Sequence, residues 1–374
     1  MPVSISGTNG VTFPDSSLQA AAASPYVLKN KLINGSMQID QRNAGASVTI
    51  TNTAATTYTL DRWAVYGSQA SKFSVQQNAA SVTPPATFSN YLGITSASAY
   101  TIGSGDIYIL GQKIEGFNIA DLAWGTASAK TVTISFWVRS SLTGTFGGTL
   151  SNNAFDRSYP FTYTISAANT WEQKTITIAG DTSGTWLTTN GTGLTLWLGL
   201  GCGSSVSGTA GSWQAAGYYS ATGAVSVVGT NGATFYITGV QLEQGTSATP
   251  FERRLYNQEL ANCQRYCCST FPQGTAWGQN RGINGAVSLM TQSTSARQLG
   301  YFTYPVTMRT NPTLVSYNPS ASNAQWWNDS VGTTFGNAVF TASTGDRGIG
   351  IFTESNAAIV SNVYLIHVSA SAEL

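Results

Sequence analysis

The sequence predicts an all-β protein: two antiparallel β-sandwiches joined by one short α-helix, behind an extended N-terminal arm. Three observations carry this. Apolar and polar residues alternate in one short run after another, and clusters of Gly, Asn, Ser and Asp separate the runs. One stretch alone, around Tyr256, changes to a helical spacing. Strict alternation marks a half-buried strand, whereas apolar residues three and four apart mark one face of a helix.

Residues 1–30 read as an arm. "VTFPDSSLQAAAAS" holds Pro14 and small residues but no core-forming period, so by itself it should be poorly ordered, or ordered only against a partner. Residues 31–250 read as strand after strand. "VTISFWVR" puts Val132, Ile134, Phe136 and Val138 on one face, with Thr133, Ser135, Trp137 and Arg139 on the other. "LTLWLGLG" aligns Leu194, Leu196, Leu198 and Leu200 and leaves Trp197 outside. "FTYTIS", "IYILGQKIE", "TITIAG" and "FYITGVQLE" are further short runs, punctuated by "GDTSG", "TTNGTG" and "GTNGA". Many short strands with such turns predict an antiparallel sandwich of jelly-roll type.

Residues 251–268 predict a linker helix, with Pro250 ending the preceding strand and Thr249 as candidate cap. Glu252, Arg253, Arg254, Glu259 and Arg265 place five charges in fourteen residues of a chain that is 9% charged, which marks a joint. Tyr256, Leu260, Cys263 and Cys267 form a heptad-like stripe. A helix this short needs a surface to dock on. The stripe is either an oligomer seam or the face of a single helix lying on its own sandwich. Residues 269–374 predict a second, smaller sandwich from "GAVSLMTQ", "LGYFTYPVTM", "PTLVSYN", "TFGNAVFTAS", "RGIGIFTES" and "NVYLIHVSASAEL". In the last run Tyr364, Ile366 and Val368 share one face, and Val363, Leu365 and His367 the other.

Lys plus Arg total 17 and Asp plus Glu 16, for a net charge of +1. Without clustered cations to neutralise phosphates, nucleic acid is not an expected partner. So little charge leaves a surface of Ser, Thr, Asn, Gln, Gly and aromatics, which suits polyhydroxyl ligands and subunit contacts. Cys202, Cys263, Cys267 and Cys268 have neither a disulfide-framework nor a zinc spacing, and read as core or interface thiols in a reducing compartment. No metal and no cofactor is expected. "MPVSISGTNGVTF" is not a signal peptide, and no apolar run is long enough to cross a bilayer, so synthesis in a cytoplasm without membrane insertion is expected.

No catalytic constellation emerges. His367 is the single His, no Gly-x-Ser-x-Gly elbow occurs, and "GLGCG" lacks the Gly-Lys-Ser/Thr of a phosphate loop. Among Asp61, Asp106, Glu115, Asp121 and Asp156 no spacing singles out a hydrolytic pair. Binding has better candidates, since the chain holds 10 Trp and 17 Tyr. "SNAQWWNDS" sets Trp326, Trp327, Asn328 and Asp329 in a polar stretch, and "TAWGQNRG" holds Trp277 and Arg281. "SWQAAGYYS" adds Trp213, Tyr218 and Tyr219. An exposed indole stacks on a sugar face while Asn and Asp fix hydroxyls. The six residues Trp277, Arg281, Trp326, Trp327, Asn328 and Asp329 are therefore the expected glycan site. The alternative is that the paired Trp pins its segment to its own core. The next candidate is an aromatic face bearing Trp137 and Trp197, for which burial is the competing reading.

"LINGSMQIDQRNAG", "YTLDRWAV" and "ITGVQLEQGTSATPFERRLYNQELANCQRYC" resemble bacteriophage tail fibre or receptor-binding proteins and their prophage relatives, as do "GVTFPDSSLQAAA" and the terminal "VSASAEL". The match touches the arm, both ends of the first sandwich, the helix and the last strand, and is most specific at the strand-to-helix joint; "WWND" matches nothing in that group. The resemblance implies a carbohydrate-binding-module-like first sandwich, a homotrimer, and a helix leading to a variable tip. It also implies a virion protein, assembled in the host cytoplasm, that binds a host cell-surface glycan and attaches through its arm to other virion proteins. No catalytic residue carries over from it. A purely structural fibre or decoration subunit and a glycan depolymerase are the competing readings. Deleting the arm is expected to leave a folded, soluble protein that no longer enters particles. Normal incorporation of that truncation, read by blotting purified particles, would refute the attachment role.

Overall fold

The computed structural model describes residues 4–6, 10–12, 18–19, 29–290, 299–340, 344–353 and 361–374. In the arm, β1 (Ser4–Ser6), β2 (Gly10–Thr12) and β3 (Leu18–Gln19) form an antiparallel meander; the rest of the arm up to residue 28 lies outside the described residues. Lys29 and Asn30 already belong to the body of the first sandwich. Asn30 is buried, its amide donates to the Val240 carbonyl at 3.1 Å, and its Oδ1 accepts from the Leu242 N–H at 3.1 Å.

The first sandwich is built from β4 (Val48–Thr49), β5 (Thr57–Tyr58), β6 (Ala64–Gly67), β7 (Phe73–Gln77), β8 (Leu92–Ser96), β9 (Ile107–Glu115), β10 (Val132–Ser140), β11 (Gly144–Ser151), β12 (Ser158–Ile165), β13 (Glu172–Ile178), β14 (Thr192–Cys202), the short parallel pair β15 (Ser207–Gly208) and β16 (Ser220–Ala221), and β17 (Thr234–Gln244). One sheet runs β13-β10-β17-β8-β7-β4 and the other β12-β11-β14-β9-β6-β5. Both are antiparallel, and the chain repeatedly crosses between them, the jelly-roll habit that the short strands predicted. The alternation does what its period requires. Val132, Ile134, Phe136 and Val138 are fully buried in one core with Leu194, Leu196, Leu198 and Leu200. Each such side chain contributes about 1.5–3 kcal/mol on leaving water. Trp137 and Trp197 do project from the outer faces, but of opposite sheets, β10 and β14, so they cannot form the single aromatic face that the sequence suggested.

The helix is shorter than 251–268. α1 spans Tyr256–Gln264 and starts after Leu255, whose N–H donates to Gln258 Oε1 at 3.3 Å. Thr249 does not cap it: the Thr249 hydroxyl donates to Glu243 Oε2 at 2.6 Å. Residues just before the helix are bonded to the start of the first sandwich and to each other. Glu252 accepts from the Asn30 N–H at 3.0 Å and from Arg254 Nε at 2.9 Å. Among the described residues no helix is long and apolar enough to cross a membrane.

The second half comprises β18 (Cys267–Ser269), β19 (Val287–Met290), β20 (Leu299–Thr303), β21 (Thr313–Tyr317), β22 (Gln325–Asn328), β23 (Thr333–Phe340), β24 (Gly348–Thr353) and β25 (Val363–Ser371). β25 is its axis: β18 and β21 pair with the C-terminal half, β19 and β22 with the N-terminal half. Tyr364, Ile366 and Val368 turn into a separate core with Trp326, Ile349 and Ile351. His367 is buried on the other face, stacked on Phe271 at 4.1 Å between centroids, with Nδ1 near the Thr270 hydroxyl at 2.9 Å and Nε2 near the Gly282 carbonyl at 2.9 Å. Burial lowers its pKa, so the ring is held neutral as a structural group.

Between the two cores lies a charged joint. Arg62 is 1% exposed; it pairs with Glu373, donates to the Lys113 carbonyl at 2.6 Å, and lies 3.6 Å from the Tyr266 ring centroid. Glu373 also takes Arg42 at 2.9 Å, and Arg42 reaches Asp61 at 3.2 Å. Burial pushes the Asp61 carboxyl up to about 6 despite the neighbouring Arg42. Glu115, at the end of β9, accepts two bonds from Arg265, at 3.0 and 2.6 Å, and one from the Tyr266 hydroxyl at 2.5 Å. Arg309 closes the far side, donating to the carbonyls of Asn190, Ala372 and Glu373 at 2.8–3.0 Å. Glu373→Ala would strand Arg42 and Arg62 without their shared partner. It is expected to cost about 3–5 kcal/mol, read as a lower denaturant midpoint. A loss below about 1 kcal/mol would show that water or other groups satisfy the two guanidinium groups.

Candidate functional site

The four stripe residues of the joint do not share one accessible face. Cys263 is buried with Ile33, Ile39 and Tyr266, and Leu260 packs against the same cluster. Cys267 lies in β18 and is buried, while Tyr256 is half-exposed with its hydroxyl 3.2 Å from Gln273 Oε1. The apolar positions of α1 therefore cover this chain's own core. All four cysteines are free, and among the described residues no group of His, Cys, Asp and Glu is placed to hold a metal ion.

The expected glycan residues are also dispersed. "WWND" is not a loop: Gln325–Asn328 is strand β22. Trp326 is 0% exposed in the second core, and Asn328 is buried with its Oδ1 accepting the Ser330 N–H at 3.1 Å. Trp327, on the opposite side of the strand, is half-exposed and donates to Asp329 Oδ1 at 3.3 Å. Trp277 packs 5.5 Å from Arg42, at the joint, and Arg281 is exposed nearby in sequence. No hydrogen bond or ring contact among the described residues joins these two to Trp327. The pair of Trp residues splits as adjacent residues in an extended strand must, with one anchoring and one facing outward.

A concave site exists elsewhere, on the outer face of the β12-β11-β14-β9-β6-β5 sheet. It is a groove of about 520 Å³. Strand register explains its floor. Ala64, Gly111, Trp197 and Thr149 stand side by side across β6, β9, β14 and β11. A Cβ on Gly111 would meet the Leu196 carbonyl oxygen at 1.9 Å and the Trp197 ring at 2.5 Å, so only glycine there leaves room for both β14 and its indole. On one side of this row are Tyr66 and Ile109; on the other are Lys113, Thr195 and Ser151, again in register. The floor therefore changes from apolar to polar across the indole.

Two loops raise the wall. The segment bearing Tyr219 reaches the sheet because β11 and β14 carry glycine beneath it: a Cβ on Gly199 would meet Ser220 Oγ at 2.5 Å. Tyr219 packs against Phe155 at 4.4 Å between centroids. Phe155 holds a left-handed backbone, φ 57°, uncommon for a bulky residue. Asn152 fixes that turn by accepting the N–H groups of Asp156 and Arg157 at 3.2 and 3.1 Å. Strain retained at a cleft edge is a pointer to function. Trp197 itself is only 4% exposed, so the accessible aromatic surface belongs to Tyr66, Phe155 and Tyr219. Ser151 is 0% exposed and its hydroxyl has no hydrogen-bond partner.

Sequence reasoning reached part of this site. It placed Trp197 outside its strand and singled out the segment holding Tyr219, but assigned neither to a ligand groove. Lys113, Ser151 and Thr195 were missed because nothing local marks them; only the register of three strands brings them together.

No family model matches the chain, and no curated protein matches it. Among solved structures it is similar to the enzymatically active domain of tailspike protein 4 of bacteriophage CBA120, with 13% identity, a TM-score of 0.33, and coverage of 60% of this chain and 22% of that one. A putative sugar-binding protein from Bacteroides thetaiotaomicron aligns at 13% identity and TM-score 0.35, covering 58% of this chain and 100% of that one. A family 11 carbohydrate-binding module from Clostridium thermocellum, in complex with a mixed-linked tetrasaccharide, aligns at 10% identity and TM-score 0.27, covering 54% and 97%.

Trp326→Ala is expected to cost about 3–5 kcal/mol by opening the second core, and Trp327→Ala about 1 kcal/mol or less. Denaturant midpoints of the two variants check this; equal losses would contradict their placement on opposite sides of β22.

Proposed function

We propose that the chain is a carbohydrate-binding protein that holds a glycan in the groove of its first sandwich. One observation carries the reading: aromatic side chains and a polar row of Lys113, Thr195 and Ser151 flank the same concave surface. A sugar ring presents an apolar face and a rim of hydroxyls, and this floor offers a surface to each. The groove is shallow, so single-site affinity is modest and repetition of the chain in an oligomer supplies the strength.

The same proposal places the protein on the outside of a virion as a fibre that adsorbs to the bacterial surface. Its support is the resemblance of the arm, the strand-to-helix joint and the last strand to phage fibre proteins. The arm serves attachment to other virion proteins. The oligomer is a homotrimer, and exposed Leu255 and Tyr256, rather than the buried cysteines, are where copies meet.

Binding of the purified chain to a panel of bacterial polysaccharides tests this. Tyr219→Ala and Phe155→Ala are expected to weaken binding about two- to tenfold, the loss of one aromatic contact worth about 0.5–1.5 kcal/mol, with the melting temperature kept. Loss of binding in Trp327→Ala alone would move the site to the second sandwich. Absence of binding to every polysaccharide would remove the glycan reading.

A further inference from the structure

We propose that the ligand of this groove is anionic: a sugar bearing a carboxylate or a phosphate, seated over the row Lys113, Thr195 and Ser151. The inference rests on the glycan reading above and adds the charge of the ligand to it.

Lys113 is the one charged residue among those lining the groove. It is half-buried, and among the described residues its ammonium has no hydrogen bond or ion pair. The carboxylate that influences it, Glu373, is already engaged by Arg42 and Arg62. Asp156, beside the groove, accepts instead from the Asn152 amide at 2.6 Å. Burial, followed by the positive charge of Arg62, lowers the Lys113 pKa against the opposing pull of Glu373. Across the row, the fully buried Ser151 hydroxyl is an unused donor. Neighbouring strands lie about 4.8 Å apart, so Lys113 and Ser151 bracket Thr195 within the span of one charged sugar substituent and its ring.

A neutral sugar would leave the cost of the half-buried ammonium in place. An anion removes it and forms a charge-assisted hydrogen bond, stronger than a neutral one. Sources of the charge are a uronic or other acidic sugar, or a phosphorylated one.

The test is a printed array of neutral, uronic-acid-containing and phosphorylated bacterial oligosaccharides, probed with the full chain and its Lys113→Gln and Lys113→Arg variants. The expected result is binding concentrated on one of the two anionic sets and weakened by salt. It should fall about tenfold or more in Lys113→Gln and be restored in Lys113→Arg. The set retained tells carboxylate from phosphate. Equal or better binding of neutral sugars, sensitive to Tyr219→Ala, would overturn the anionic inference and leave the groove standing. An anionic preference unchanged in Lys113→Gln would overturn it too, by placing the charge recognition elsewhere. No binding at all would remove the groove reading and this inference together.

Discussion

The arrangement of the molecule turns on a buried ionic joint with one carboxylate, Glu373, at its centre. Glu373 draws Arg42 and Arg62 to a single point between the two cores, and the Glu115 and Arg309 bonds flank that point. Ion pairs of this kind are poor sources of net stability, because desolvation cancels much of the attraction. Their value lies in direction: an apolar interface tolerates sliding, whereas a guanidinium stripped of its partner does not. In a chain that is 9% charged, gathering so many charges at one place commits the two halves to one relation. The groove shares in this. Arg62 donates to the Lys113 carbonyl, so the polar row of the groove and the ionic joint are fastened to the same point on β9.

Much of the fold was legible because it follows from periodicity. The faces of "VTISFWVR" and "LTLWLGLG" are those the structure buries. Of the charged joint only Arg265 was visible as a departure from composition; Arg42, Asp61, Arg62, Glu115, Arg309 and Glu373 lie outside the charge-rich stretch and meet only in the fold. What failed were inferences that treated local appearance as tertiary position. "WWND" looks like a loop by its polar neighbours, yet cross-strand pairing with β23 makes it strand, and Trp326 is then carried inward. The heptad-like spacing of the helix stripe left open a seam between copies or a helix on its own sandwich, because spacing does not say which surface covers it. Glu252 is engaged by the distant Asn30 N–H just ahead of the helix, a tertiary contact with no local signature.

The site was the least legible part, for a physical reason. Its polar row is assembled from β9, β14 and β11, with far-separated sequence positions and register set by bulges as well as by turns. β14 is irregular against β9 near both ends. A one-residue change in register would turn every second side chain to the other face. Lys113 is an ordinary lysine in "GQKIE" until Thr195 and Ser151 are beside it.

The position of the cysteines gives the molecule an internal clock. Cys263, Cys267 and Cys268 are buried at or beside the joint, and burial raises each thiol's pKa, so both access and the reactive thiolate are suppressed while the halves stay together. Alkylation of these sulfurs must then wait for the joint to part. Where alkylation outpaces reclosing, its rate would count those openings directly.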